Sequence, residues 1–176
     1  MAGHPLPTGD YRKRAMVTLD LETGSGNSVR VGPWEADISI TGALRKVFKE
    51  PVVIEDRDTY AGAVMGKDAY PDISLTIRHN GKLGGGAAKT IADCLCYAGA
   101  FSGDSYTDPG GELPSHKATI TITAPDGVDV FTAPNSAWTG DYSSGETNTM
   151  ALKATCYRPQ HGGDPDDPAN QPIIRS

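Results

Sequence analysis

Residues 72–79 have the sequence DISLTIRH, in which apolar and polar side chains alternate without interruption. Successive side chains of a β-strand point to opposite faces, so Ile73, Leu75 and Ile77 share one face of such a strand. The Asn-Gly pair at 80–81 follows, and this dipeptide favours a turn with positive φ. The stretch therefore predicts a half-buried strand that ends in a turn.

Segments with the same period of two lie along most of the chain. Residues 117–131 contain two of them around Pro-Asp-Gly, which predicts a hairpin. A last segment, 147–157, places its apolar side chains on one face. Pro51 interrupts the apolar stretch 47–54, which is therefore expected at a sheet edge or bulge. Trp34 is expected in the core or at its rim, and the remaining strand segments are 17–21, 28–31 and 36–40.

One segment has the period of a helix. Within residues 87–98, Ile91, Leu95 and Ala98 fall on one helical face, and Gly99 is expected to end the helix. The 21 glycines and 13 prolines suit many short strands separated by turns. Together these patterns predict a mainly β (α+β) fold, a β-sandwich or barrel-like domain with one flanking α-helix and extended terminal arms.

The beginning of the chain is expected to be an N-terminal arm. Residues 1–16 contain structure-breaking Pro and Gly residues, so the central domain is predicted to span 17–158. The arm also holds a basic cluster, formed by Arg12, Lys13 and Arg14.

Residues 159–176 are expected to be an extended C-terminal tail. They are rich in Pro, Gly and Asp and cannot bury a core of their own. The tail ends in the apolar pair Ile173 and Ile174. This pair either docks on a neighbouring subunit or belongs to a frayed terminus.

The segment 55–70 (EDRDTYAGAVMGKDAY) has no clean period and predicts a long loop or an irregular hairpin. Connections of this length in compact domains are usually functional or disordered. Its acidic start, Glu55, Asp56 and Asp58, could bind calcium, which takes oxygen ligands. The glycine and closing Glu of an EF-hand loop are missing, however, so a solvated acidic loop or a subunit contact is the preferred interpretation.

Composition narrows the classes of function. A net charge of -6 and a pI near 5.1 argue against tight binding to nucleic acid, which requires clustered Lys and Arg. Cys94, Cys96 and Cys156 do not resemble a disulfide framework. A metal site at the first two would need further ligands that no nearby Cys or His cluster supplies. No signal-peptide or membrane-spanning pattern is present, and no membrane binding is expected.

The sequence contains no recognisable catalytic motif. It lacks G-x-S-x-G and H-E-x-x-H patterns, so neither an enzyme nor a cofactor is expected. The glycines at 84–86 precede the predicted helix, but the Gly-Lys-Ser/Thr ending of a phosphate-binding loop is missing. The histidines are expected to be solvated, with only His79 a candidate for packing; they are His4, His79, His116 and His161.

The order of these parts resembles that of the major tail-tube proteins of long-tailed bacteriophages, particularly those with flexible, non-contractile tails. Three passages carry the resemblance. The first is the acidic loop 55–60 with the strand that follows it, and the second is the helix around 91–95. The third is 127–138 together with 147–159. The likeness covers residues 17–158.

The resemblance implies a structural virion protein whose sheets join those of neighbouring copies into hexameric rings, which stack into the tail tube. It implies synthesis in the host bacterial cytoplasm and, as partners, copies of itself and the tail terminator, tape-measure and tail-tip proteins. Genomic DNA would pass through an acidic lumen without specific binding. Contacts between subunits would fall on the arms and the 55–70 segment, at Arg12, Lys13, Arg14, Glu55, Asp56, Asp58, Tyr60, Tyr70, Ile173 and Ile174.

Two other functions remain open. A capsid decoration or head–tail joining protein is also β-rich and acidic, and would form trimers or single rings. A carbohydrate-binding β-sandwich would be a monomer that stacks aromatic rings on sugar faces. Its candidate residues are Trp34, Trp138, Tyr142 and the tyrosines of the loops.

Overall fold

The computed structural model describes residues 15–176 except 36–37, 45–47, 57–58, 79–88, 109, 111, 126, 145–147, 160–163 and 165–166. Strands dominate this part of the chain, which confirms the prediction of a mainly β fold with one short helix. The elements are β1 Met16–Glu22, β2 Ser28–Glu35, β3 Ile38–Thr41, β4 Lys49–Asp56, β5 Thr59–Asp68, β6 Asp72–Arg78, α1 Ile91–Leu95, β7 His116–Ala124, β8 Gly127–Ser143, β9 Thr149–Tyr157 and β10 Ile174–Arg175.

The main sheet is antiparallel and has the strand order β2-β1-β7-β8-β9-β6-β3. Strand β8 joins two halves of this sheet, one formed by β2, β1 and β7 and the other by β9, β6 and β3. Its residues 127–136 pair with β7, and its residues 135–143 pair with β9. Strands β2 and β3 are also close neighbours in the chain, separated only by residues 36–37. The inward faces of both halves contribute to one core.

The core confirms the period of two on which the strand predictions rest. In β6, the three apolar side chains are buried and the polar side chains between them are exposed. The same alternation holds in β1 and β9, because one face of each strand packs inward. The buried residues of these three strands are Val17, Leu19, Leu21, Ile73, Leu75, Ile77, Met150, Leu152, Ala154 and Cys156.

The helix is shorter than the predicted range 87–98, of which 87–88 lie outside the described residues. It begins only after Thr90, whose backbone is extended and whose hydroxyl accepts a hydrogen bond from the Asp93 N–H. It ends at Leu95, and Tyr97 then adopts a positive φ of 49°. A left-handed residue cannot continue an α-helix, so the prediction that the helix continues to residue 98 is wrong.

The end of the chain packs against the domain and is not frayed. Strand β9 pairs with β8 only from Asn135 onward, which leaves the preceding edge of β8 open. Strand β10 covers that edge at Phe131 and Thr132, and Val130 and Ser176 exchange two backbone hydrogen bonds. Ile173 beside it is only 4% exposed. The terminus therefore completes both the sheet and the core of its own chain.

Candidate assembly surface

Strands β4 and β5 form a two-stranded hairpin that is separate from the main sheet. Its register places Val52 opposite Val64 and Val53 opposite Ala63. Of the two structures predicted for residues 55–70, the irregular hairpin is confirmed and the loop is wrong. The register shifts beside Pro51, as expected for a proline at a bulge.

Both faces of this hairpin are apolar and exposed. Val53 and Met65 belong to one face and are 55% and 63% exposed, while Val64 on the other face is 50% exposed. An isolated two-stranded hairpin is only marginally stable in water. A contiguous exposed apolar surface commonly marks a contact with another molecule. We call this surface the hairpin patch; it consists of Val52, Val53, Ile54, Val64 and Met65.

Charged groups fix the base of the hairpin to the end of β9. The carboxylate of Asp68 lies 2.7 Å from Lys49 Nζ and 3.4 Å from a guanidinium nitrogen of Arg158. Arg158, whose side chain is nearly buried, also donates a hydrogen bond of 3.3 Å to the carbonyl of Phe48. The backbone N–H of Ala69 donates to the same carbonyl. Both ends of the hairpin are thereby held to one point of the domain.

Aromatic contacts complete this base. Phe48, which precedes β4, is buried, and the ring of Tyr70 lies 5.3 Å from the ring of Tyr157. The hairpin is therefore packed against the domain at its base, while the rest of its two strands is exposed. Such an arrangement fixes the chain direction at the base and leaves the hairpin patch accessible.

The predicted contact residues fall at several places on the molecule. Glu55 and Asp56 lie near the tip of the hairpin, where Glu55 pairs with Tyr60 across the strands. All three side chains are exposed. Tyr70 lies at the opposite end of the hairpin, in its base. Asp58, Arg12, Lys13 and Arg14 lie outside the described residues.

The structure places the terminal isoleucines against their own chain. Ile173 is buried in the core, and Ile174 is half-buried in β10. Contact of Ile173 with a neighbouring subunit would first require this segment to leave the core. Val64 and Met65 of the hairpin patch lie in the 55–70 segment that was predicted to make contacts, although neither was named individually. Val52, Val53 and Ile54 lie outside that segment and were not predicted as contacts.

His116 is buried, which corrects the prediction that it is solvated; His79 lies outside the described residues. Only 1% of His116 is exposed, and its Nε2 lies 2.9 Å from the carbonyl oxygen of Cys94. A carbonyl only accepts, so neutral His116 carries its proton on Nε2 and donates this bond. Burial lowers the pKa of His116, and the backbone bond opposes that effect. The imidazole thus links β7 to α1 as a neutral group.

Replacing His116 with Gln is expected to remove an acid-induced loss of stability. Because the pKa of His116 is lowered on folding, the unfolded chain binds this proton more readily below about pH 6.5. The free energy of unfolding should therefore be highest above that pH and fall below it, by at most about 1.4 kcal/mol per pH unit. Urea unfolding at several pH values tests this. Equal acid sensitivity of wild type and variant would contradict it.

Two of the three cysteines are not placed as reactive thiols. Cys94 and Cys156 are buried, and burial raises the pKa of each thiol to about 12. Cys96 is exposed.

Within the described ranges, no three His, Cys, Asp or Glu side chains come together as metal ligands. No helix in that part of the chain is long and apolar enough to cross a membrane.

The tryptophans are packed and do not form a sugar-binding platform. Trp138 is only 9% exposed, and its indole N–H donates a 2.7 Å hydrogen bond to Ser136. Trp34 packs against the core and is partly buried, which agrees with its predicted position at the core or its rim. Tyr142 is 41% exposed, and of the tyrosines in the 55–70 segment Tyr60 is 68% and Tyr70 49% exposed. The two tryptophans therefore do not support the carbohydrate-binding alternative.

The fold and this surface define an antiparallel β protein with one short flanking helix and a separate apolar hairpin. No protein-family profile matches the chain, and no curated protein matches it. Among solved structures, it is similar to the sheath/tube terminator of the extracellular contractile injection system PVC in the extended state. That match has 10% identity, covers 100% of this chain and 99% of the other, and has a TM-score of 0.49.

Two further solved structures are similar to the chain. The PVC sheath-tube complex in the extended state matches with 12% identity over 99% of this chain and 93% of the other, at a TM-score of 0.48. The cap that terminates the tube of the anti-feeding prophage matches with 14% identity over 100% and 93%, at 0.44. Similarity at this level assigns neither a family nor a function, so the proposal below rests on the hairpin.

Proposed function

We propose that this chain is a structural subunit that assembles with copies of itself into stacked, hexameric rings and so forms the tube of a bacteriophage tail. The observation that carries the proposal is the hairpin patch, whose two faces are both apolar and uncovered in the isolated chain. Burial of apolar area contributes roughly 25 cal/mol per Å². A neighbouring copy that covers the patch would supply this stabilisation.

The form of the hairpin supports assembly with identical copies. Its fixed base holds the patch in one place relative to the domain, through Asp68 and Arg158. A contact between the hairpin of one copy and a different surface of the next copy is heterologous. Heterologous contacts repeat from copy to copy and produce either closed rings or open filaments. Rings that stack produce a tube.

Charge supports a conduit through which DNA passes without specific binding. The chain has a net charge of -6. With this net negative charge, little overall phosphate attraction would retain the duplex. In this role the tail terminator, tape-measure and tail-tip proteins are its further partners, and its location is the virion tail.

Negative-stain electron microscopy of the purified chain across a concentration series tests the proposal. We expect filaments of uniform width with a central channel, in equilibrium with free subunits. Discrete trimers or single rings that never stack would instead favour a capsid decoration or head–tail joining protein. A monomer at every concentration would contradict assembly altogether.

A further inference from the structure

Among the described residues, β2, β3, β4 and β5 each have one edge without a strand partner, as do the two-residue strand β10 and residues 137–143 of β8. Open edges present unpaired N–H and C=O groups and can pair with another chain. These edges are not equivalent. β2 contains Pro33 and β4 contains Pro51, whereas β3 and β5 contain no proline.

The two proline-containing edges are poorly suited to accept a strand. Proline has no N–H to donate, and bulges twist an edge away from regular pairing. β2 is irregular at Gly32 and Pro33, where Val17 pairs with Trp34 but Leu19 pairs with Val31. The pairing of β4 is likewise shifted beside Pro51. Regular edges without proline are those of β3, β5 and residues 137–143 of β8. The exposed residues of the last are mainly polar, so β3 and β5 are the regular edges that also carry incompletely covered apolar side chains.

We propose that the outer edge of β5 pairs with the outer edge of β3 in a second copy of the chain. The inference rests on the proposed function and deepens it by naming the contact. Each copy would offer the β5 edge of its hairpin to one neighbour and accept the β5 edge of another neighbour at its own β3. Since β3 and β5 are different strands, the pairing is heterologous and continues from copy to copy.

The burial of β3 supports this choice of partner. Ile38 and Ile40 pair with Leu75 and Ile73 of β6 and lie against the core, yet both remain only partly buried. Their outer side lacks a neighbouring strand among the described residues. Strand β5 brings the apolar residues Val64 and Met65, which are uncovered in the isolated chain. Because Val64 and Met65 lie on opposite faces of β5, strand pairing would place one of them beside Ile38 and Ile40 on the core side of the sheet.

Disulfide formation between two single variants tests the pairing. Ser39→Cys in β3 and Ala63→Cys in β5 are placed in separate chains, both carrying Cys96→Ser to remove the exposed thiol. Both positions are exposed. The two chains are mixed, allowed to assemble and oxidised mildly. Met65→Cys and Val64→Cys replace Ala63→Cys in parallel mixtures to sample the register and the opposite face of β5.

The matched control uses Ser28→Cys in β2, an exposed serine on a proline-containing edge, with the same β5 variants. Thiols held together by strand pairing have effective concentrations in the millimolar range. We therefore expect roughly tenfold more crosslinked dimer from the best Ser39→Cys mixture than from the control. If assembled protein crosslinks equally in both, or only in the control, the edge assignment is wrong while the proposed function stands. Failure of every mixture and of wild type to assemble would contradict both.

Discussion

Replacing Val53 and Val64 together with lysine is expected to abolish assembly while leaving the isolated subunit folded. The two residues lie on opposite faces of the hairpin and are 55% and 50% exposed. Substitutions at exposed positions usually change the free energy of unfolding by no more than about 0.5 kcal/mol. An ammonium buried without a partner in an interface costs several kcal/mol. We expect the concentration needed for assembly to rise at least about a hundredfold, as measured by sedimentation velocity.

Val128→Lys provides the matched control for this variant. Val128 is 58% exposed and lies in β8, outside the hairpin of β4 and β5. It should assemble as wild type does, with an unchanged melting temperature. If the hairpin double variant assembles as readily as Val128→Lys, then the hairpin patch is not the assembly surface.

Replacing Ile173 with alanine is expected to lower the free energy of unfolding by roughly 2–4 kcal/mol. Ile173 is 4% exposed and belongs to the core, although it lies only three residues from the end of the chain. Truncating a buried isoleucine removes apolar burial and leaves a cavity. Chemical denaturation of the unassembled subunit measures the change.

Ile174→Ala is the control, because it makes the same chemical change at the next residue. Ile174 is only partly buried in β10, so its truncation should cost about 1 kcal/mol or less. Equal and small effects of the two substitutions would mean that the terminus frays in solution and that β10 does not cover β8.

The strands were the most predictable part of the fold. In β6, alternation of Ile73, Leu75 and Ile77 with polar residues fixes which side faces the core, since a shift of one residue would invert every side chain. The hairpin of β7 and β8 was equally clear from its turn residues. These features are local, so a short window of sequence contains all the information that specifies them.

Features that depend on distant contacts were not predictable. The hairpin patch has apolar residues on both faces, and a strand of that kind has no period to detect. Ile173 looked like part of a frayed tail because the strand edge that β10 covers lies about forty residues earlier in the chain, at Thr132. His116 looked solvated because its partner, the carbonyl of Cys94, is brought to it only by the fold.

The central claim is that the hairpin of β4 and β5, which its own domain holds only at the base, is stabilised along the rest of its length by neighbouring copies. Hydrogen–deuterium exchange of amides in residues 49–68, measured on dilute subunits and on assembled protein, tests it most directly. The account predicts rapid exchange in the dilute subunit, where the hairpin is marginally stable, and strong protection after assembly. Equal exchange in the two states, with the main-sheet amides as internal reference, would contradict it.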